Sequence, residues 1–144
     1  MDLLLKKLKK WIDLDISPKE AKMWKDIFSD PIKAKEWIDH YFTPYEVNMW
    51  LKYSFTPEEA RNWSEYRFEP DEASEWKKYE FSEKEAYEWK IDGFDDPEVA
   101  NRWKKILPSP KEAIEWVKNG FIFKEVKEFI NKGITIKQAI KLMS

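Results

Sequence analysis

The sequence predicts an all-α fold, a short-repeat α-solenoid in which about eleven short helices form a superhelix. Three observations predict it: a tryptophan that recurs every thirteen residues, a helix-start pattern in each repeat, and glycines at one late position of the repeat. Self-similarity at a fixed period is typical of tandem structural units that stack on their neighbours. We therefore expect one helix per repeat, with atypical capping helices at both ends.

The tryptophans define the register of the repeat, and their spacing changes only once, from thirteen to fourteen residues between Trp89 and Trp103. Alanine usually lies three residues earlier, so the two side chains share one helix face. Burying one tryptophan contributes about 4–6 kcal/mol before entropy is subtracted, enough to hold a short helix that is unstable alone. We expect nine core residues: Trp11, Trp24, Trp37, Trp50, Trp63, Trp76, Trp89, Trp103 and Trp116.

Each repeat contains residues that begin and end a helix. A Ser, Thr or Asp in the N-cap position precedes proline, whose missing N–H is harmless in the first turn, and a Glu often follows in the third helical position. The predicted N-caps are Ser17, Asp30, Thr43, Thr56, Ser82 and Ser109. The first-turn prolines are Pro18, Pro31, Pro44, Pro57, Pro70, Pro97 and Pro110. The predicted capping-box residues are Glu20, Glu46, Glu59, Glu72, Glu85 and Glu112. Gly93, Gly120 and Gly133 share the position where a left-handed residue would end the helix.

The length of 144 residues favours a single helical-repeat domain over the whole chain. Within it we distinguish an N-terminal cap helix at 1–15, the tryptophan repeats at 17–121, and aliphatic C-terminal cap repeats at 122–144. The N-terminal segment lacks the proline and cap but keeps Trp11 in register, and the C-terminal segment replaces the aromatic residues with aliphatic ones. We expect these aliphatic side chains to close the core at each end.

Composition narrows the classes of function. With 26 Lys and Arg against 28 Asp and Glu, the net charge is −2, so nucleic acid is not an expected partner. The chain has no Cys, which excludes disulfides and thiolate chemistry. The apolar N-terminal stretch is too short for a signal peptide or a membrane span. We expect a soluble, cytoplasmic protein without a membrane partner.

No residue pattern indicates a catalytic, cofactor-binding or metal site. His40, the only histidine, stands in the slot that tyrosine fills in other repeats, and a structural ring is the favoured interpretation over a catalytic or metal role. The acidic loop at 92–98 could offer oxygen ligands to Ca²⁺, but its spacing differs from an EF-hand. We favour a helix-capping role for Asp95 or Asp96. We expect no cofactor and no enzymatic activity.

Two surface features remain. The segment KKLKK at 6–10, with leucines on one face, could be a membrane-surface or nucleic-acid-binding helix, but a solvated face of a capping helix is the favoured interpretation. The third and fourth predicted helices carry apolar residues where other repeats are polar. These residues form a candidate partner-binding patch, although another turn of the superhelix could also cover them. The patch consists of Ile32, Ile38, Tyr45, Met49 and Leu51.

These observations favour a non-enzymatic protein-interaction or scaffold module, because a solenoid offers an extended surface whose exposed positions vary while its core stays constant. The expected partner is a protein. The first alternative is a structural, self-assembling homo-oligomer in which the patch joins copies of the chain. The second is a nucleic-acid-binding repeat protein, for which a basic stripe would be expected.

Overall fold

A computed structural model describes residues 2–144, which form eleven short α-helices and contain no β-strand. This confirms the predicted helical-repeat solenoid. The helices are α1 (Leu3–Ile12), α2 (Pro18–Ile27), α3 (Pro31–Asp39), α4 (Pro44–Lys52), α5 (Pro57–Glu65), α6 (Pro70–Lys78), α7 (Glu83–Ile91), α8 (Pro97–Lys104), α9 (Pro110–Lys118), α10 (Phe123–Asn131) and α11 (Ile136–Leu142).

The chain divides into two compact units, residues 1–74 and 75–144. In the first unit α2 packs against both α3 and α4, and α1 packs against α3. In the second unit α8 packs against α9. Contacts between helices one and two places apart are typical of stacked repeats. None of the helices described in residues 2–144 combines the length and apolar character needed to cross a membrane.

The helix starts follow the predicted pattern, with two corrections. Every predicted first-turn proline is the first residue of its helix, and Thr56 and Ser82 form complete capping boxes with Glu59 and Glu85. Ser109 makes no side-chain capping bond, which is the first correction. The second correction is that neither α2 nor α9 has a capping box.

Most helices end in the same type of turn, which the sequence predicted only where the turn contains glycine. In most repeats the residue four after the core aromatic is left-handed, and its N–H and the next N–H bond back to the last helical carbonyls in a Schellman motif. At the end of α3, Tyr41 donates to Ile38 O at 2.9 Å and Phe42 donates to Trp37 O at 3.1 Å. The three glycines occupy this position as predicted, and five other residues adopt it as well: Asp15, Tyr41, Ser54, Arg67 and Glu80.

The Schellman turn explains why phenylalanine follows tryptophan by five residues. This motif places the second residue after the helix against the last helical turn, where an apolar contact accompanies it. Trp37 and Phe42 lie 5.2 Å apart between ring centroids, and Trp89 and Phe94 lie 5.1 Å apart, in edge-to-face geometry. The phenylalanine then contacts the next tryptophan, as Phe42 contacts Trp50 at 6.3 Å. Alternating contacts between tryptophan and phenylalanine rings therefore form the core of each unit.

The core contains all nine tryptophans, each at most 5% exposed, together with the small residue three positions before most of them. The terminal aliphatic residues differ from expectation. Leu3, Leu4 and Leu5 are 82%, 65% and 51% exposed, and Leu142 is 67% exposed. The prediction that the leucines of α1 close the core is wrong, because only Trp11 of that helix is buried. At the C-terminal end Val126 and Ala139 are buried and Phe129 stacks on Trp116 at 5.9 Å, so residues of this segment do contribute to the core.

Candidate functional site

The five residues of the predicted partner-binding patch do not form one continuous surface, because they differ in exposure and border different hollows. Ile32, Tyr45 and Met49 are 52%, 73% and 44% exposed. Ile38 and Leu51, which follow their tryptophans directly, are half-buried. Ile32 borders a hollow between α1 and α3, whereas Tyr45 and Met49 border a different hollow on α4.

The larger hollow is a groove of about 480 Å³ formed by α4, α5 and the connection into α6, and we call it the α4–α6 groove. Tyr45 and Met49 lie four residues apart in α4, so they are neighbours on one helix face. Its remaining lining residues come from α4, α5, the connection and the first residue of α6: Glu46, Trp50, Ser64, Arg67, Phe68, Glu69 and Pro70. The groove therefore combines an apolar wall with a charged rim.

Local turn chemistry positions the rim of the α4–α6 groove. Arg67 is the left-handed residue of the Schellman turn after α5, with φ of 64°, and its N–H donates to Ser64 O at 2.9 Å. Glu46 is held at the start of α4, where its Oε1 accepts hydrogen bonds from Thr43 N at 2.9 Å and Thr43 Oγ1 at 2.8 Å. Arg67 and Glu46 thus place a positive and a negative side chain on the same rim, Arg67 at the end of α5 and Glu46 at the start of α4.

His40 lies at the C-terminal end of α3, half-buried, with Nδ1 2.7 Å from the carbonyl oxygen of Glu36. Arg61 of α5 reaches the same turn, donating through Nε to His40 O at 2.8 Å and through Nη2 to Tyr41 O at 3.1 Å. The guanidinium carbon also lies 4.5 Å from the ring centroid of Phe42. Arg61 therefore joins α5 to the turn after α3.

Lys104 makes the corresponding contact in the second unit. Its ammonium lies 2.7 Å from Glu85 Oε2 and 4.6 Å from the ring centroid of Phe81. The hydrogen bond from Lys104 lowers the pKa of the Glu85 carboxyl below its usual value. Both side chains are a third or more exposed, so solvent screens the attraction. The basic side chains at these positions tie neighbouring repeats together.

The acidic loop at 92–98 begins the helix that follows it. Asp96 Oδ1 accepts the N–H of Glu98 at 2.9 Å and is the N-cap of α8. Among residues 2–144, no group of side chains has the arrangement that a metal ion requires. Next to the loop, Ile91 is 64% exposed beside a second groove of about 460 Å³.

Sequence reasoning missed the roles of Arg61, Lys104 and Ile91. Arg61 and Lys104 occupy different repeat positions, two before and one after the tryptophan, so no shared register revealed a common role. Ile91 lies two residues after Trp89, a position at which every other tryptophan repeat carries an Asp, Glu or Lys. This break in the polar pattern was the sequence signal that could have identified Ile91 as an exposed apolar residue.

Comparison with known proteins finds no match to the chain among protein-family models, curated proteins or solved structures.

Proposed function

We propose that the chain is a non-enzymatic helical-repeat module that binds another protein through the α4–α6 groove. The observation that carries this proposal is the exposure of Tyr45 and Met49 on one wall of the groove. At the register position of Tyr45 every other tryptophan repeat except α3, which has Ile32, carries a charged residue. At the position of Met49 most repeats are charged, while α2 has Met23 and α5 has Asn62. An exposed aromatic and a methionine beside a charged rim are typical of protein-binding surfaces.

The rim charges support selectivity for a polypeptide. Arg67 can donate to a carboxylate or carbonyl, and Glu69 can accept from an amine or amide. Tyrosine provides a large contact area at low conformational cost, and methionine adapts its shape to a partner. The groove therefore offers both apolar contact and orientation to a protein segment.

Site-specific photo-crosslinking in cell extract tests this proposal. A photo-crosslinking aromatic residue at position 45 is expected to form one dominant adduct with a protein. The same residue at position 122 is the control, because Ile122 is also exposed, at 61%, but lies outside the groove. The variant Met49→Lys is expected to abolish the adduct at position 45. Identical adducts at both positions, or none at position 45, would contradict the proposal.

Self-assembly, the alternative that the sequence favours next, is supported by a different surface, the exposed apolar stripe of α1. Nucleic-acid binding has less support, since the net charge is −2 and Arg61 and Lys104 pack against aromatic rings within the repeats.

A further inference from the structure

The first helix carries an apolar stripe that the rest of the described chain leaves open. Leu4, Leu8 and Ile12 lie four residues apart along α1, and they are 65%, 40% and 75% exposed. Leu5, 51% exposed, lies beside them on the helix surface. Trp11 faces the core at one edge of this stripe and is 5% exposed. We call the set of Leu4, Leu5, Leu8 and Ile12 the α1 stripe.

Lysines flank the α1 stripe on both sides. Lys9 follows Leu5 by four residues, and Lys7 follows Leu4 by three, so both residues are neighbours of the stripe on the helix surface. Helix α1 contains four lysines and no acidic residue. The remainder of the chain holds 22 Lys and Arg against 28 Asp and Glu, a net charge of −6. The net charge of α1 is therefore opposite in sign to the net charge of the rest of the protein.

This charge distribution selects among the possible occupants of the stripe. Pairing α1 with α1 of another copy would bring the flanking lysines together and would be opposed by like-charge repulsion. An anionic membrane or a nucleic acid would attract α1 but repel the acidic remainder. An acidic surface of a second copy also attracts α1, and because that copy has a net charge of only −2, it repels the acidic remainder less than a highly charged membrane or nucleic acid does.

The second unit contains a groove of matching chemistry, which we call the Ile91 groove. Its volume is about 460 Å³, and Glu88, Ile91 and Asp92 form its acidic and apolar part. Ser109, Pro110 and Lys111 form the other side. Asp95 and Asp96 follow directly and are exposed, so acidic side chains around the groove outnumber Lys111. Ile91, 64% exposed, offers an aliphatic contact to the α1 stripe.

We propose that the α1 stripe docks into the Ile91 groove of a second copy of the chain. Leucine and isoleucine side chains would contact Ile91, and Lys7 and Lys9 would pair with the carboxylates of Glu88 and Asp92. Because the two surfaces are different, the contact is heterologous, and a dimer keeps a free groove on one copy and a free stripe on the other. Association would therefore continue beyond the dimer unless a ring closes.

Light scattering over a concentration series tests the proposal. The monomer mass is 17.5 kDa, and the wild-type average mass is expected to rise with concentration. The double variant Leu4→Gln/Ile12→Gln is expected to weaken association at least about tenfold, since the apolar contact is lost. Raising the salt concentration from about 0.05 M to about 0.5 M should also weaken it, because ion pairs flank the contact. The matched control is Ile122→Gln, at an exposed isoleucine outside both surfaces, which should leave association within about twofold of wild type.

A mixing experiment tests the pairing of the two surfaces. The Leu4→Gln/Ile12→Gln variant retains its groove, and Ile91→Lys retains its stripe. At a concentration where the wild type is largely associated, each variant alone should be mostly monomeric, and their 1:1 mixture should form a dimer and nothing larger. A monomeric wild type at all concentrations, wild-type-like self-association of either variant alone, or a mixture that stays at monomer mass would overturn the proposal. Wild-type binding to anionic lipid vesicles without any self-association would overturn it as well.

Discussion

At the residue scale, the tryptophan is the largest buried side chain of each repeat from α1 to α9. Trp63 is 3% exposed and lies 5.0 Å from Phe68 in edge-to-face contact, so its removal leaves a large cavity inside the first unit. The alanine before it is fully buried and leaves room for the indole ring. Because the phenylalanine that contacts each tryptophan is only five residues away in the chain, we expect the loss of stability on removing the tryptophan to be confined to nearby repeats.

We expect Trp63→Ala to lower the free energy of unfolding by about 3–5 kcal/mol, the usual cost of removing a buried tryptophan. Glu65→Ala, an exposed position in the same helix, is the control and should change stability by less than about 0.5 kcal/mol. Urea unfolding followed by circular dichroism measures both. Equal effects would mean that the tryptophan contributes no more than a surface residue.

The left-handed residue after each helix allows a second prediction, about the cost of substituting glycine there. Gly93 has φ of 120°, and a Cβ there would lie 2.9 Å from Ile114 Cδ1, whereas Gly133 has φ of 72° and no atom within 4 Å. Gly93→Ala should therefore cost more than Gly133→Ala, about 2 kcal/mol against about 1 kcal/mol. Glu80, with φ of 64°, should gain about 0.5 kcal/mol as Glu80→Gly, once the entropy of the unfolded glycine is subtracted. Thermal unfolding of the three variants tests this order.

At the element scale, each helix depends on its ends, because nine residues make few internal hydrogen bonds. The capping box opens the helix and the Schellman turn closes it. The phenylalanine of that turn then contacts the tryptophan of the next helix. The connection between two helices is therefore part of the core of the unit.

Thr56 and Ser109 provide a matched test of capping. Both precede a proline in the first helical position, but only Thr56 accepts a hydrogen bond, from Glu59 N at 3.2 Å. We expect Thr56→Ala to cost about 1 kcal/mol and Ser109→Ala to cost less than about 0.3 kcal/mol. Chemical denaturation of the two variants gives the comparison. A larger loss for Ser109→Ala would contradict this account of the helix starts.

The ion pair between Lys104 and Glu85 predicts a pH dependence. In the folded protein the pKa of the Glu85 carboxyl is lowered by Lys104. The ionised carboxylate therefore stabilises the fold at pH values above its unfolded pKa of about 4.3, and this stabilisation is lost as the pH falls through the folded pKa. A double-mutant cycle of Glu85→Gln and Lys104→Gln should give a coupling of about 0.5 kcal/mol at pH 7 and none at pH 2.

The control for this cycle is the pair of Glu98 and Arg102, whose charged atoms are 3.6 Å apart and whose side chains are more than half exposed. We expect its coupling to be close to zero at both pH values. A coupling between Lys104 and Glu85 that persists at pH 2 would show that the contact does not depend on the ionised carboxylate.

At the scale of the whole molecule, stability is a sum of repeats and of contacts between near neighbours. Trp103 contacts Phe94 after α7 and Phe123 in α10, so its influence extends one or two helices each way. The variant Trp103→Ala should accelerate amide hydrogen exchange in α7–α10 and leave α1–α4 unchanged. Peptide-resolved mass spectrometry measures this, and uniform acceleration along the chain would show global cooperativity instead.

The sequence by itself determined the fold class, the core tryptophans and the first residue of most helices. It could do so because these features depend on residues close together in the chain: a cap, a proline and an aromatic at fixed spacing. The same spacing identified the three glycines of the left-handed turn, since only glycine marks that conformation without a steric cost.

Only the tertiary structure decided which apolar side chains are exposed and how they are grouped. Ile32 and Tyr45 occupy the same position in successive repeats, yet they border different hollows, because each helix meets different neighbours. The α1 stripe has the composition of a buried helix face and is exposed, since burial depends on what packs against a surface. Such contacts join residues from different repeats, and the local pattern of one repeat does not contain them.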